Sequence, residues 1–156
     1  MRKFSILLIA AVVVFTGTGC LKNETCSPKS VSSEAPAIQA YAQTNGIAAV
    51  PHTSGLYYEI LDPGSGDAPD DNSTIYIRYT GKLLDGTVFD QKTNAAETGW
   101  ILGGLIEGWR IGLPLIQEGG HIRLIVPSAM AYGCMPYGGL PGNSILFFDI
   151  ELVDVQ

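Results

Sequence analysis

A chain of 156 residues in which 46% of side chains are apolar can bury one modest core, and nothing in its length or composition suggests a second domain. Acidic residues outnumber basic ones by 15 to 9, and no Lys/Arg cluster occurs beyond the first three positions, which excludes a phosphate-backbone partner such as nucleic acid. The 19 glycines follow no strict triplet period, so they serve turns, bulges and close backbone approaches rather than a collagen-like helix.

Arg2 and Lys3 precede an apolar run over residues 4–15. The run is shorter than the about 20 residues that span a bilayer. It suits the apolar region of a secretory signal, so residues 1–19 read as a signal peptide and the chain as exported. Small residues at 16–19 then lead into Cys20, a pattern that resembles a bacterial lipoprotein signal, in which the cysteine is acylated and becomes the mature N-terminus. Gly17 departs from that motif, which usually has an aliphatic residue there. The alternative is ordinary cleavage that leaves Cys20 as a thiol or disulfide partner. Loss of residues 1–19 takes Arg2 and Lys3 from the 9 basic residues and leaves 7 against 15 acidic, a formal charge of −8. Membrane attachment must then come from the anchor and not from charge.

Residues 20–32 are polar, carry Pro28 and several serines, and show no apolar period, which predicts a flexible tether, lipidated at Cys20. Residues 33–51 predict a short N-terminal helix and a link. Ser32 or Ser33 can cap it, Glu34 favours its positive end, Pro36 fits a first turn, and Asn45-Gly46 stops it. Ile38 and Tyr41, with Ala37 and Ala42, give a narrow apolar stripe that docks on the domain.

The main domain is expected over residues 52–156. Leu56, Tyr58 and Ile60 alternate with polar or mixed neighbours in a first strand. After a Gly/Asp/Pro-rich segment, residues 75–90 read as a strand with Ile75, Ile77, Tyr79 and Leu83 facing inward, a tight turn at Asp85-Gly86, and a short return that brings Phe89 and Asp90 alongside. Glycines through residues 99–112 rule out a long helix, so one short helix is placed over 108–116, with Pro114 an awkward member. Ile122, Leu124 and Val126 alternate in a further one-faced strand, a Gly/Pro/Tyr-rich loop spans 128–143, and the last strand puts Leu146, Phe148, Ile150 and Leu152 on its core side. The sum is an α+β domain, a twisted antiparallel β-sheet wrapped over one short α-helix, with the core on one face of the sheet.

Four segments, YTGKLLDGTVFD, LIEGWRIGL, AYG and LPGNSILFFDIEL, resemble in order and spacing the FKBP-type peptidyl-prolyl cis-trans isomerases. The preceding signal, cysteine and helix resemble the appendages of envelope lipoprotein members. The resemblance implies an FKBP-like fold and a proline pocket with Trp109 as its floor. Tyr79, Phe89 and Phe148 would be its walls and Leu105 an aliphatic lip. The Ile106 backbone N–H and the Tyr132 hydroxyl would hold peptide carbonyls, with Asp90 at the rim. Thr98, Trp100, Tyr137 and Leu140 would complete the substrate-binding surface. Thr98 stands where the family usually has a further aromatic, with Trp100 two positions on, which implies a pocket open on one side. Gly142 stands where a second proline is frequent, which implies a more mobile loop.

The activity so implied is isomerisation of X–Pro bonds of exported proteins, by desolvation in an aromatic pocket, with no cofactor, metal or general base. Without turnover, the same pocket makes a module or holdase that grips proline-containing segments. Partners are proline-containing polypeptides, the family's macrolide ligands, and a membrane reached through the lipid anchor, on the periplasmic side or the outer surface of a bacterial envelope. Cys26 and Cys134 either form a disulfide that pins the tether to the loop beside Tyr132 or stay as two free thiols. His52 and His121 are expected in solvent and too far apart for a metal. Asp149 and Glu151 lie on the face away from the core, where a salt link is expected rather than acid–base work.

Overall fold

Two ten-residue strands, β3 (Thr74–Leu83) and β7 (Leu146–Val155), pair antiparallel along their length and form the spine of the computed structural model, which describes residues 26–156. The signal expected over 1–19, Cys20 and the first part of the expected tether lie outside the described residues. Around the spine, β1 (Val50–Pro51), β2 (Tyr57–Asp62), β6 (His121–Val126) and β4 (Val88–Lys92) complete an antiparallel sheet in the order β1-β2-β6-β7-β3-β4, and β5 (Trp100–Ile101) pairs with the start of β3. The β3–β4 connection is the expected turn. Asp85 Oδ1 accepts from Thr87 N–H at 2.8 Å, and Gly86 takes the left-handed conformation, φ +90, that glycine alone adopts freely.

The helix expected over 108–116 is shorter. Helix α2 runs Glu107–Gly112 and passes into a 3-10 turn, Leu113–Leu115. Pro114 has no N–H to continue an α-helical ladder and crowds the carbonyl one turn back, so the tighter turn takes over. Gly108 and Gly112 let α2 sit low on the sheet: a Cβ at Gly108 would overlap Val126, and one at Gly112 would come within 2.7 Å of Leu124. Beneath α2, Ile75, Ile77, Leu113, Ile122, Leu124 and Ile150 are fully buried with Trp109 and Phe148 in the main core.

The opposite face is not the solvated surface that one-faced strands imply. Helix α1 (Val31–Thr44) lies across it, and Ile38 and Ala42 bury Tyr57, Ile125 and Phe147 in a second core. Apolar residues in the outward phase of β2, β6 and β7 are thus covered, whereas Ile60, expected inward, is 38% exposed. The helix also starts earlier than expected, at Val31, with Ser30 as its N-cap accepting from Ser33 N–H, so Pro36 falls in the second turn. Residues 26–30 are correspondingly not a free tether. Cys26 is disulfide-bonded to Cys134, with Cα atoms 5.4 Å apart across 108 positions of sequence. Closing a loop of about 100 residues is worth roughly 4–5 kcal/mol in the chain-entropy account. Among the described residues no helix is long and apolar enough to cross a membrane.

Beside the second core the outward polar residues form a linked row. Arg123 Nε donates to Asp149 Oδ2 at 2.9 Å and Nη1 to Glu59 Oε2 at 3.1 Å, and His121 Nε2 lies 2.5 Å from Asp149 Oδ1. His121 is therefore engaged rather than free in solvent, and His52 likewise meets Ser54 Oγ at 2.9 Å in its turn. Arg78 and Glu151 pair at 2.7 Å. Thr98, expected on the substrate surface, is instead a structural fastener. Its hydroxyl donates to Ala95 C=O at 2.7 Å and accepts from Ile77 N–H at 2.9 Å, tying the 3-10 turn Ala95–Glu97 to β3.

Two outcomes follow from these contacts. Replacing Thr98 by Val leaves the Ile77 N–H without its acceptor and is expected to lower stability by about 1–3 kcal/mol, seen as a lower urea midpoint at unchanged slope. A residue that merely lines a pocket would leave the midpoint where it is. For Asp149, burial pushes the carboxyl up, but hydrogen bonds from His121 and Arg123 outweigh it and hold the group below its ordinary value of 3.8. A depressed folded value means that its contribution is complete above about pH 4 and fades as pH falls below that range. Asp149→Asn should therefore melt at a lower temperature than the wild type near neutrality, with the gap closing in acid, and a gap independent of pH would refute the assignment.

Candidate functional site

A cavity of about 230 Å³ opens between α2, β3, β4, β7 and the loop after β6. Trp109 on α2 is its floor. Only 5% of that residue is exposed, and Tyr79 and Phe148 stand against its ring in near-perpendicular contacts, with centroids 5.0 and 5.1 Å away. Phe89 leans edge-on to Phe148 at 5.7 Å. This is the favourable packing for rings with electron-rich faces and electron-poor edges. It also fixes the walls against one another.

Backbone register explains the convergence. Gly81 on β3 pairs with Phe148 on β7 and with Asp90 on β4, so the residue without a side chain lies between two strands that both turn groups into the cavity. An added Cβ would meet Phe89 at 2.8 Å and Phe148 at 3.0 Å. The missing aromatic wall expected at Thr98 is supplied by Trp100, which pairs with Ile75 and brings its indole to 6.1 Å from Tyr79. Trp100 thus lines the cavity on the side where an opening was expected. Leu105 and Ile106 line the mouth ahead of α2. Ile106 is the N-cap of that helix, and its N–H has no acceptor among the described residues.

Polar groups are few, and one of them, Trp109 Nε1 on the floor residue, is buried without a partner among the described residues. The Tyr79 hydroxyl donates to Asp90 Oδ2 at 2.5 Å. Burial, then this hydrogen bond and the Asp90 charge, raise the Tyr79 phenol well above its ordinary value, so it remains a donor at physiological pH. Tyr132 is raised too, by burial and then by Tyr137 and Asp90. Its ring, 38% exposed, stacks on Tyr137 at 4.3 Å and 10°.

Two residues expected on the substrate surface are placed otherwise. Leu140 is buried in the main core, where its bridge to Tyr137 holds the loop, and Tyr137 lies outside the cavity lining, behind Tyr132. Gly142, expected to loosen the loop, is a point of close backbone approach. Its backbone packs so closely on the Cys134 carbonyl that a Cβ would overlap it, which leaves no room for a larger residue. Sequence reading also passed over Asn143. It adopts φ +58, its side chain bonds Ser27 C=O and Lys29 N–H, and its N–H donates to Gly133 C=O. An asparagine among glycines is a signal for a left-handed turn, but its side-chain partners are more than 100 positions away.

The model of the family described as FKBP-type peptidyl-prolyl cis-trans isomerase matches residues 66–153. The FKBP-type peptidyl-prolyl cis-trans isomerase FkpA of Escherichia coli K12 is 42% identical over 105 residues, which cover 67% of this chain and 39% of that protein, so the chain aligns with well under half of this relative's length. The crystal structure of FkpA from Escherichia coli matches with a TM-score of 0.66 at 34% identity, over 81% of this chain and 62% of that one. A peptidyl-prolyl cis-trans isomerase structure from Pseudomonas syringae pv. tomato matches with a TM-score of 0.67 at 29% identity, over 83% and 98%. With the pocket aromatics placed by the sheet register and the family match spanning the elements that carry them, the chain belongs to the FKBP-type peptidyl-prolyl cis-trans isomerase family.

Proposed function

We propose that the cavity binds X–Pro segments with the proline ring on Trp109, and that the chain is a peptidyl-prolyl cis-trans isomerase acting on exported proteins. The observation that carries this reading is a small, largely apolar cavity with an indole floor, lined by Tyr79, Phe89, Trp100 and Phe148. In this reading Tyr79, Phe89, Trp100 and Phe148 enclose the ring and Leu105 closes the lip. The Ile106 N–H and the Tyr132 hydroxyl hold peptide carbonyls, and Asp90 fixes the Tyr79 wall. The family's macrolide ligands would compete for the same cavity.

The chemistry needs little else. Isomerisation is slow because the planar amide is resonance-stabilised, with a barrier of about 18–20 kcal/mol. The planar state is more dipolar than the twisted one, so a site that strips water and offers aromatic walls penalises it more. Asp90 is occupied by Tyr79, which suits catalysis without a general base.

A protease-coupled assay on a tetrapeptide with an internal Leu-Pro bond tests this. Wild-type turnover should exceed that of Trp109→Ala by at least about tenfold, and Tyr132→Phe, which deletes one substrate hydrogen bond, should lose roughly two- to twelvefold. Wild-type activity equal to that of Trp109→Ala would end the enzyme reading, and retained peptide binding in that case would leave a proline-segment module.

We further propose residues 52–156 as the isomerase unit, residues 33–51 as its helix and link, and an envelope location with Cys20 acylated on the periplasmic side or the outer surface. The charged, apolar and small-residue pattern over 1–20 supports export and anchoring. The Cys26–Cys134 disulfide suits an oxidising compartment. Mass spectrometry of the mature protein should find an acylated Cys20 at the N-terminus, and an unmodified N-terminus at any other residue would defeat the anchor.

A further inference from the structure

Glu34 is a charged side chain only 2% exposed, and it lies outside the span matched by the family. Both of its carboxylate oxygens accept from one residue: Ser128 N–H donates at 2.7 Å and Ser128 Oγ at 2.8 Å. A buried carboxylate spent on a single serine is costly unless that serine must be held. Ser128 opens the 3-10 turn Ser128–Met130, and its carbonyl accepts from Ala131 N–H at 3.1 Å and Gly133 N–H at 2.8 Å, the residues on either side of Tyr132. Helix α1 thus reaches the backbone of Tyr132 through two bonded steps.

The same N-terminal segment grips the far side of that loop. Cys26 is bridged to Cys134, Ser27 C=O accepts from Asn143 Nδ2 at 3.1 Å, and Lys29 N–H donates to Asn143 Oδ1 at 3.2 Å. Asn143 N–H in turn donates to Gly133 C=O at 2.8 Å. Tyr132 therefore sits between two ties, Glu34 on one flank and the Cys26–Asn143 group on the other. Its ring, part of the cavity lining, stacks on Tyr137, itself 60% exposed.

We infer that residues 26–44 form an intramolecular strap that sets the position of the Tyr132 wall, with Glu34 its positioning residue. No residue of the strap lines the cavity. The strap holds the hydroxyl that the proposed function assigns to a substrate carbonyl, and so the inference rests on that reading for its effect on turnover. The placement itself does not depend on turnover.

Two measurements on the mature chain test it. Amide hydrogen exchange should quicken at Ala131, Gly133 and Asn143 in both Glu34→Ala and Cys26→Ser, with Ile122 and Ile150 in the central strands unchanged. In the Leu-Pro tetrapeptide assay, kcat/KM should fall about tenfold in Glu34→Ala, a coupling of ordinary size, and partly recover in Glu34→Gln, which keeps one acceptor. Adding Tyr132→Phe to Glu34→Ala should cost little more, because the hydroxyl is already misplaced. A purely structural Glu34 would instead quicken exchange throughout the sheet, and its effect would add in full to that of Tyr132→Phe. Either result overturns the strap, as does unchanged exchange across residues 131–143. Should Glu34→Ala not fold, Cys26→Ser and Ser128→Ala carry the same comparison. An inactive wild type would remove the isomerase reading, and the exchange measurement would still decide whether the strap holds the loop.

Discussion

The close seating of α2 on the sheet is the constraint from which the rest of the site follows. Six residues are too few for a helix to hold itself, so α2 exists because it packs. Gly108 and Gly112 face β6, where Val126 and Leu124 fill the space that their side chains would take. Trp109, next to the first of these glycines, is thereby held at a fixed height over the sheet. Tyr79 from β3 and Phe148 from β7 reach it from opposite strands of the spine. Raise the helix by one methyl group and the floor moves relative to every wall.

A sheet that curls over one helix must still dispose of its other face. The outward phase of β2, β6 and β7 is a mixture. Tyr57, Ile125 and Phe147 would make an exposed apolar patch, while Glu59, Arg123 and Asp149 are suited to water. Helix α1 resolves the mixture by covering the first group and leaving the second at its border, where the charges pair in a row. The helix has 14 residues and is capped by Asn45, so its stability comes from this docking more than from its own propensity. Burial of the patch also brings the N-terminus of α1 beside the loop after β6, which is where Glu34 meets Ser128.

Sequence disclosed the parts of the site that depend on local pattern. Tyr79 was readable from the alternation of β3 and Asp85-Gly86 from turn chemistry, while Trp109 as the floor came from the family resemblance. The order of the aromatics carried that resemblance. What it could not disclose were contacts set by register or by distance along the chain. Thr98 and Trp100 are two positions apart, and only the pairing of Trp100 with Ile75 decides which of them faces Tyr79. Ile125 and Phe147 lie in the outward phase of their strands, and their partner is α1, far off in sequence. Leu140 has the composition of a lip residue and the position of a core residue. Glu34 looked like a helix-dipole residue because its true partner lies 94 positions away.

The division of polar groups explains how a site with two tyrosines and an aspartate can be regarded as inert in acid–base terms. Tyr79 and Asp90 satisfy each other at 2.5 Å, and the raised phenol keeps the proton on the tyrosine. That pair fixes a wall. Tyr132, raised as well but without an acceptor among the described residues, is a hydroxyl donor in the cavity lining, and the Trp109 indole N–H on the floor is a second donor without a partner there. In the proposed turnover a donor so placed cannot favour the twisted amide merely by binding a carbonyl, since the planar amide binds it at least as well. Its value is in orientation: it holds the segment while the apolar walls act on the amide that must rotate. Each 1.4 kcal/mol by which the pocket disfavours the dipolar planar state over the twisted one is worth about tenfold in rate. Stripping hydrogen bonds from an amide costs about 2–7 kcal/mol in apolar surroundings. A fraction of that difference suffices for substantial acceleration, and it is available only while the walls stay in register and water stays out. In the proposed turnover the packing of α2 would keep the walls in register, and the loop that carries Tyr132 would orient the bound segment.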